Sequence, residues 1–189
     1  MVIDDSIYKF YQKYKKRNDC SELINWYEPE IQKVEENVAK LICQKTNCTY
    51  DKSIRRKYNS VIKWTGTITL SLIVIFTIFS GLTFAKVLLT IIFPAIPILQ
   101  WTLKNIKSNN QSILTLEQLN NLINSSWIEV KNGVKIDSSA LRQIQDGIYL
   151  NRKGSPLIPD FVYKKMRTKL ESQTYYSVSQ LVDELLNRK

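Results

Sequence analysis

The chain has 189 residues, of which 27 are Lys or Arg and 17 are Asp or Glu, for a formal charge of +10, and it contains no histidine. Without imidazole, the usual general base, the usual partner of a serine or cysteine nucleophile and the commonest transition-metal ligand are all missing. Cys20, Cys43 and Cys48 have no fourth thiol or imidazole with which to complete a structural zinc site.

The first 18 residues are charged and aromatic and lack the apolar run and small-residue cleavage site of a signal peptide. Insertion into a membrane is therefore expected to rest on later segments. Ile7, Phe10, Tyr11 and Tyr14 recur at helical spacing, which predicts a short amphipathic helix over residues 4–16. A second helix is expected from Pro29, a residue suited to a first turn, to about Gln44, with Ile31, Val34, Val38, Leu41 and Ile42 on one face. Residues 47–51 read as a break, after which Asp51 or Ser53 would cap the next helix. The three cysteines read as free thiols in a reduced compartment, with a Cys43–Cys48 disulfide as the alternative should that segment lie outside the cytosol.

Two stretches without charge follow. Residues 64–85 number about 22 and residues 87–103 about 17, against the roughly 20 that a helix needs to cross a bilayer core. They read as a membrane-spanning helical hairpin. The basic cluster Lys52, Arg55, Arg56, Lys57 and Lys63 precedes it, and Lys104 and Lys107 follow it. This placement predicts a multi-pass membrane protein with both termini cytoplasmic, the short link outside and Trp64 near the headgroups. Lys86 would snorkel to the outer interface. Thr65, Thr69, Ser80 and Thr83 fall on one side of the first span if helical geometry is carried through all four, which makes them candidate pore-facing residues. Pro94 and Pro97 each remove a backbone donor, so the second span is expected to be kinked or broken there, and the pair is a candidate hinge.

Beyond Trp101, Leu116, Leu119, Leu122 and Ile123 predict one helix, Asn132 and Gly133 a turn, and Ser138 the cap of a helix lined by Leu141, Ile144 and Ile148. Residues 154–159 break the pattern, Asp160 is expected to cap another helix, and residues 178–187 form a short last one. The class is all-α: an integral membrane hairpin (63–103) between helical cytosolic regions (1–62 and 104–189), whose two flanks are expected to fold against each other. The lipid bilayer is the first expected partner. The basic charge is accounted for by topology, and no nucleic-acid-binding motif is present. With no histidine, metal cluster or glycine-rich phosphate loop, no constellation nominates a reaction, so the chain reads as non-enzymatic, without cofactor or metal.

Two segments carry a likeness. One is residues 141–163, LRQIQDGIYLNRKGSPLIPDFVY; the other comprises Trp26 and Tyr27, then LICQKTN at 41–47, then Tyr50, Asp51, Arg55, Arg56 and Tyr58. Placed in this order around a hairpin, they resemble the SMODS-associated four-transmembrane (S-4TM) effectors, a bacterial family predicted to form pores in nucleotide second-messenger conflict systems. The resemblance implies a pore-forming effector of antiphage defence in a bacterial inner membrane, and homo-oligomers or a partner supplying further membrane helices, because two helices cannot enclose water. It also implies that the first membrane pair of the family is not in this sequence. Physically, Arg142 and Asp146 stand at i and i+4, while Arg152 and Lys153 are within reach of Asp160 or a neighbouring carbonyl, so Asp146 and Asp160 read as a structural polar network. The sharper reading is that Arg142, Arg152 and Lys153 contact an anionic signal such as a nucleotide phosphate. The alternative to an effector is a membrane-anchored adaptor that binds a protein partner through its helical flanks.

Overall fold

Two long helices organise the chain, because almost nothing between residues 36 and 131 stops helical hydrogen bonding except the link at Gly81, which sits at φ +60. In the computed structural model, which describes residue 12 and residues 29–187, a 3₁₀ turn at Pro29–Lys33 leads into α1, Glu36–Phe79. After the link comes α2, Phe84–Lys131, then α3, Ser138–Gly154, and α4, Asp160–Leu186. Among the described residues every regular element is helical. Most of the expected helix at 4–16, Cys20, Trp26 and Tyr27 lie outside the described residues; Gln12 is helical.

α1 and α2 each contain a segment long and apolar enough to cross a membrane. Both continue as single helices past the apolar stretch into a bundle. In the bundle, α2, α3 and α4 all pack on α1. The core takes Val38, Leu41, Ile42 and Cys48 from α1, Leu116, Leu119, Ile123 and Trp127 from α2, Leu141, Ile144 and Ile148 from α3, and Val178 and Val182 from α4. On α2, α3 and α4 these positions recur every three to four residues, the period that presents one face of a helix to its neighbours. The flanks of the hairpin thus share one core.

Several boundaries differ from expectation. Pro29 begins a 3₁₀ turn, and the α-helix starts at Glu36. No break occurs at 47–51, because Cys48 is fully buried in the core and Asp51 pairs with Arg55 one turn on, at 3.0 Å. Asp51 and Ser53 are therefore mid-helix, and the Ser53 hydroxyl donates to the Thr49 carbonyl at 2.9 Å. The N-caps of α3 and α4 are Asp137 and Pro159, each one residue before the expected Ser138 and Asp160. The last helix is not short but starts at Asp160.

The hairpin has its own seam. Gly66, Ile73 and Thr77 on α1 and Val87, Leu88, Ile91, Ala95 and Thr102 on α2 are less exposed than the rest of the spans, and Leu88, Ala95 and Thr102 continue at a seven-residue spacing to Asn109. A seven-residue repeat of small and apolar positions is the pattern of helices packed at a shallow angle. Pro94 and Pro97 do not break α2. A π-helical turn at Leu88–Ile92 precedes them, regular α-helix resumes at Phe93 with Pro94 in its first turn, and Pro97 lies inside the helix.

At Gly147, α3 lies close against α2: a Cβ there would stand 2.6 Å from Leu119 Cδ2. A Gly147→Val variant is expected to lose about 1–3 kcal/mol, since overpacking outweighs the gain in helix propensity. Urea unfolding of the detergent-solubilised chain, monitored by circular dichroism, checks it, with Gly154→Val, which meets open space, as the comparison.

A candidate coupling site at the base of the hairpin

The basic run before the first span is not uniform. Leu41, Cys48 and Arg55 are spaced by seven on α1, so Arg55 continues the stripe that faces the core and is only 5% exposed. Seven residues is close to two helical turns, which keeps the three on one side. Arg55 thus cannot serve lipid headgroups, as expected of it from its place in the basic cluster. Its Nε lies 3.0 Å from Asp51 Oδ1, and its Nη1 donates to Asn109 Oδ1 at 3.2 Å and to the Pro156 carbonyl at 3.4 Å. Burial pulls its pKa down, and the Asp51 carboxylate opposes that.

Asn109, fully buried on α2, completes the junction. Its amide donates to the Arg55 carbonyl and to Asn59 Oδ1, both at 2.8 Å, and Asn59 donates in turn to Asn110 Oδ1. Ser112 and Ser155 hydroxyls meet at 2.7 Å, tying α2 to the loop between α3 and α4. A polar group buried this way holds only when paired, so the cluster fixes the register of α1 against α2 just below the spans.

The residues expected to contact an anionic signal do not converge. Arg142 is exposed and pairs with Asp146 at 3.2 Å. Arg152, ten residues along α3 and so about 15 Å away along the axis, leans toward Asp51 Oδ2 at 3.7 Å rather than toward Asp160. Lys153 is exposed beside it. The Arg142–Asp146 pair is thus present, whereas Arg152 joins a network centred on Asp51 and Arg55. Arg142 instead lines a groove of about 540 Å³ between α1 and α3, with Lys40, Asn37, Asn47, Gln44 and Gln145. Gln44 fixes its floor by donating to the Leu141 carbonyl at 2.9 Å.

Of the candidate pore-facing residues, Thr65 and Thr69 are exposed on α1, but α1 ends at Phe79. Ser80 and Thr83 lie in the link, where the Ser80 hydroxyl donates to the Thr77 carbonyl at 3.0 Å and Thr83 is the residue before α2. A helical stripe cannot be carried through them. Thr67 and Thr77 hydroxyls donate to carbonyls four residues back, at 2.9 and 2.8 Å, satisfying themselves within the helix.

Asn59, Asn109 and Gln44 were not singled out from sequence. The available signal was spacing: Asn109 precedes Ile113 and Leu116 by four and seven residues, a polar residue on an apolar stripe. Cys43 and Cys48 are both free, and burial pushes their thiols up to about 11 and about 12. Among the described residues, no group of three His, Cys, Asp or Glu side chains is placed to hold a metal.

A family model for the SMODS-associating 4TM effector domain matches residues 2–181. The chain belongs to this family. It is therefore a membrane effector domain, and the hairpin with its attached bundle is what the described residues contribute to such a domain. The chain is also similar to a Bacillus cereus (strain VD146) protein named as a probable CBASS effector molecule, with 28% identity over 163 residues that cover 86% of this chain and 54% of that protein. It thus spans about half the length of the curated relative it matches. No solved structure matches it.

Proposed function

We propose that this S-4TM domain is part of a bacterial antiphage effector in which the helical bundle receives a nucleotide second messenger and the hairpin, with further membrane helices, opens the inner membrane. The observation that carries the reading is mechanical: α1 and α2 pass unbroken from the bundle into the spans and are cross-tied at the junction by Asp51, Arg55, Asn59 and Asn109. A change in how α3 sits on α1 reaches the base of the hairpin through Arg152 and the Pro156 carbonyl, both of which touch this cluster. The α1–α3 groove supports the receiving role. Its volume is in the range of small-molecule sites, and Lys40 and Arg142 stand beside amide side chains suited to a base edge.

Both termini and the bundle would then face the cytoplasm, where the messenger is made. Two spans cannot enclose water, so several copies, or a partner chain supplying further spans, would surround the pore. Thr65 and Thr69 are the polar groups of the first span available to face it, and Pro94 and Pro97, beside the π turn, the place for α2 to bend.

The test is expression in bacterial cells with a membrane-potential dye, with and without a co-expressed nucleotide cyclase and a segment supplying the second pair of spans. Depolarisation that requires the cyclase and falls in a Lys40→Ala, Arg142→Ala variant is expected. Intact potential in every arm would favour the adaptor reading.

A further inference from the structure

α3 rises from the far end of the bundle, where Asn37 donates to the Ile136 carbonyl, to the level of Arg55, where the Pro156 carbonyl is held. α4 then descends from Asp160 to where Glu184 meets Lys131 at 3.4 Å. The α3–α4 loop is therefore the end of the bundle nearest the spans. Its side chains are unlike those of an ordinary polar turn. Leu157 is 93% exposed and Phe161 62% exposed, with Lys153 before them and Lys164 and Lys165 after. Phe161, Lys164 and Lys165 stand at i, i+3 and i+4, one face of α4, while Val162 is buried on another.

The distances match a bilayer surface. Arg55 lies eight residues below Lys63, the last charge before the first span, or about 12 Å along α1. The polar headgroup layer occupies roughly 5–7 Å of that outside the hydrocarbon. The remaining few ångströms are within reach of a leucine, a phenylalanine and three lysine side chains projecting from the loop. We propose that the α3–α4 loop is a membrane-surface contact, in which Leu157 and Phe161 dip into the interface and Lys153, Lys164 and Lys165 engage anionic headgroups. Apolar anchors flanked by lysines are the composition that such interfacial seating takes. The occupant is the bilayer in which the hairpin already stands, since the hairpin fixes the loop at that height. Because the Pro156 carbonyl is bonded to Arg55, the depth of the loop bears directly on the polar cluster.

Site-directed spin labelling of the full chain in phosphatidylethanolamine–phosphatidylglycerol vesicles tests this. Leu157→Cys and Phe161→Cys are labelled separately at neutral pH with Cys20 and Cys43 replaced by serine; Cys48, fully buried, stays unlabelled. Lys135→Cys, exposed at the opposite end of the bundle, is the reference. The expected result is a severalfold higher ratio of oxygen to nickel-chelate accessibility at 157 and 161 than at 135. A ratio equal to that at 135 overturns the proposal. So does shielding from both reagents, which would mean that protein rather than lipid covers the loop.

Discussion

Replacing Arg55 with alanine is expected to destabilise the chain by about 3–5 kcal/mol, the usual consequence of stripping one partner from a buried ion pair. Asp51, whose side chain is only 13% exposed, would keep a charge with Arg152, at 3.7 Å, as its remaining cation. Asn109 Oδ1 and the Pro156 carbonyl would lose their donor as well. At about 2–4 °C per kcal/mol for a chain of this size, the melting temperature in detergent should fall by roughly 6–20 °C. Two comparisons make the result specific. Arg56, one residue away, also pairs with a carboxylate, Glu117 at 2.7 Å, but its side chain is 61% exposed, so Arg56→Ala should cost no more than about 1 kcal/mol. The double variant Asp51→Asn, Arg55→Met should recover part of the loss, because it removes the uncompensated carboxylate and leaves only Asn109 Oδ1 and the Pro156 carbonyl without their donor. Equal melting temperatures for Arg55→Ala and Arg56→Ala would show that the cluster does not hold the bundle.

Truncating Ile123 to alanine should cost about 2–5 kcal/mol, through lost burial and the cavity left behind. Ile123 is fully buried in the shared core, where α2 meets both flanks of the hairpin. Leu122, its neighbour in sequence, is 52% exposed, and Leu122→Ala should remain within about 0.5 kcal/mol of the parent. Denaturant midpoints by circular dichroism separate the two. A matched pair of effects would mean that the bundle does not pack as a single unit around α1.

Helix content, the hairpin and the turn at Gly133 were legible because each has a local cause: long charge-free runs, or a residue at φ +84 that favours glycine. Helix continuity was less so. Asn47 and Asp51 are turn formers by local preference, and only packing, with Cys48 buried and Asp51 tied to Arg55, keeps α1 helical through them. α4 was shortened for a different reason. Its buried residues Val162, Leu170 and Val178 recur every eight positions, one contact for each two turns, which is too sparse to show as an apolar stripe. The candidate site was hidden by composition. In a run of basic residues, which cation turns inward depends on a seven-residue register set far upstream at Leu41, and Asn109 is recognisable only once the face of α2 that carries Ile113 and Leu116 is known.

The unbroken passage of α1 out of the bundle makes each span a lever with its fulcrum at Arg55. From Arg55 to Phe79 the arm is about 36 Å long. A pivot of about 5° at the fulcrum would swing its tip by about 3 Å on the same helical geometry. Displacements at the bundle too small to disturb its core would thus be magnified at the far end of the span.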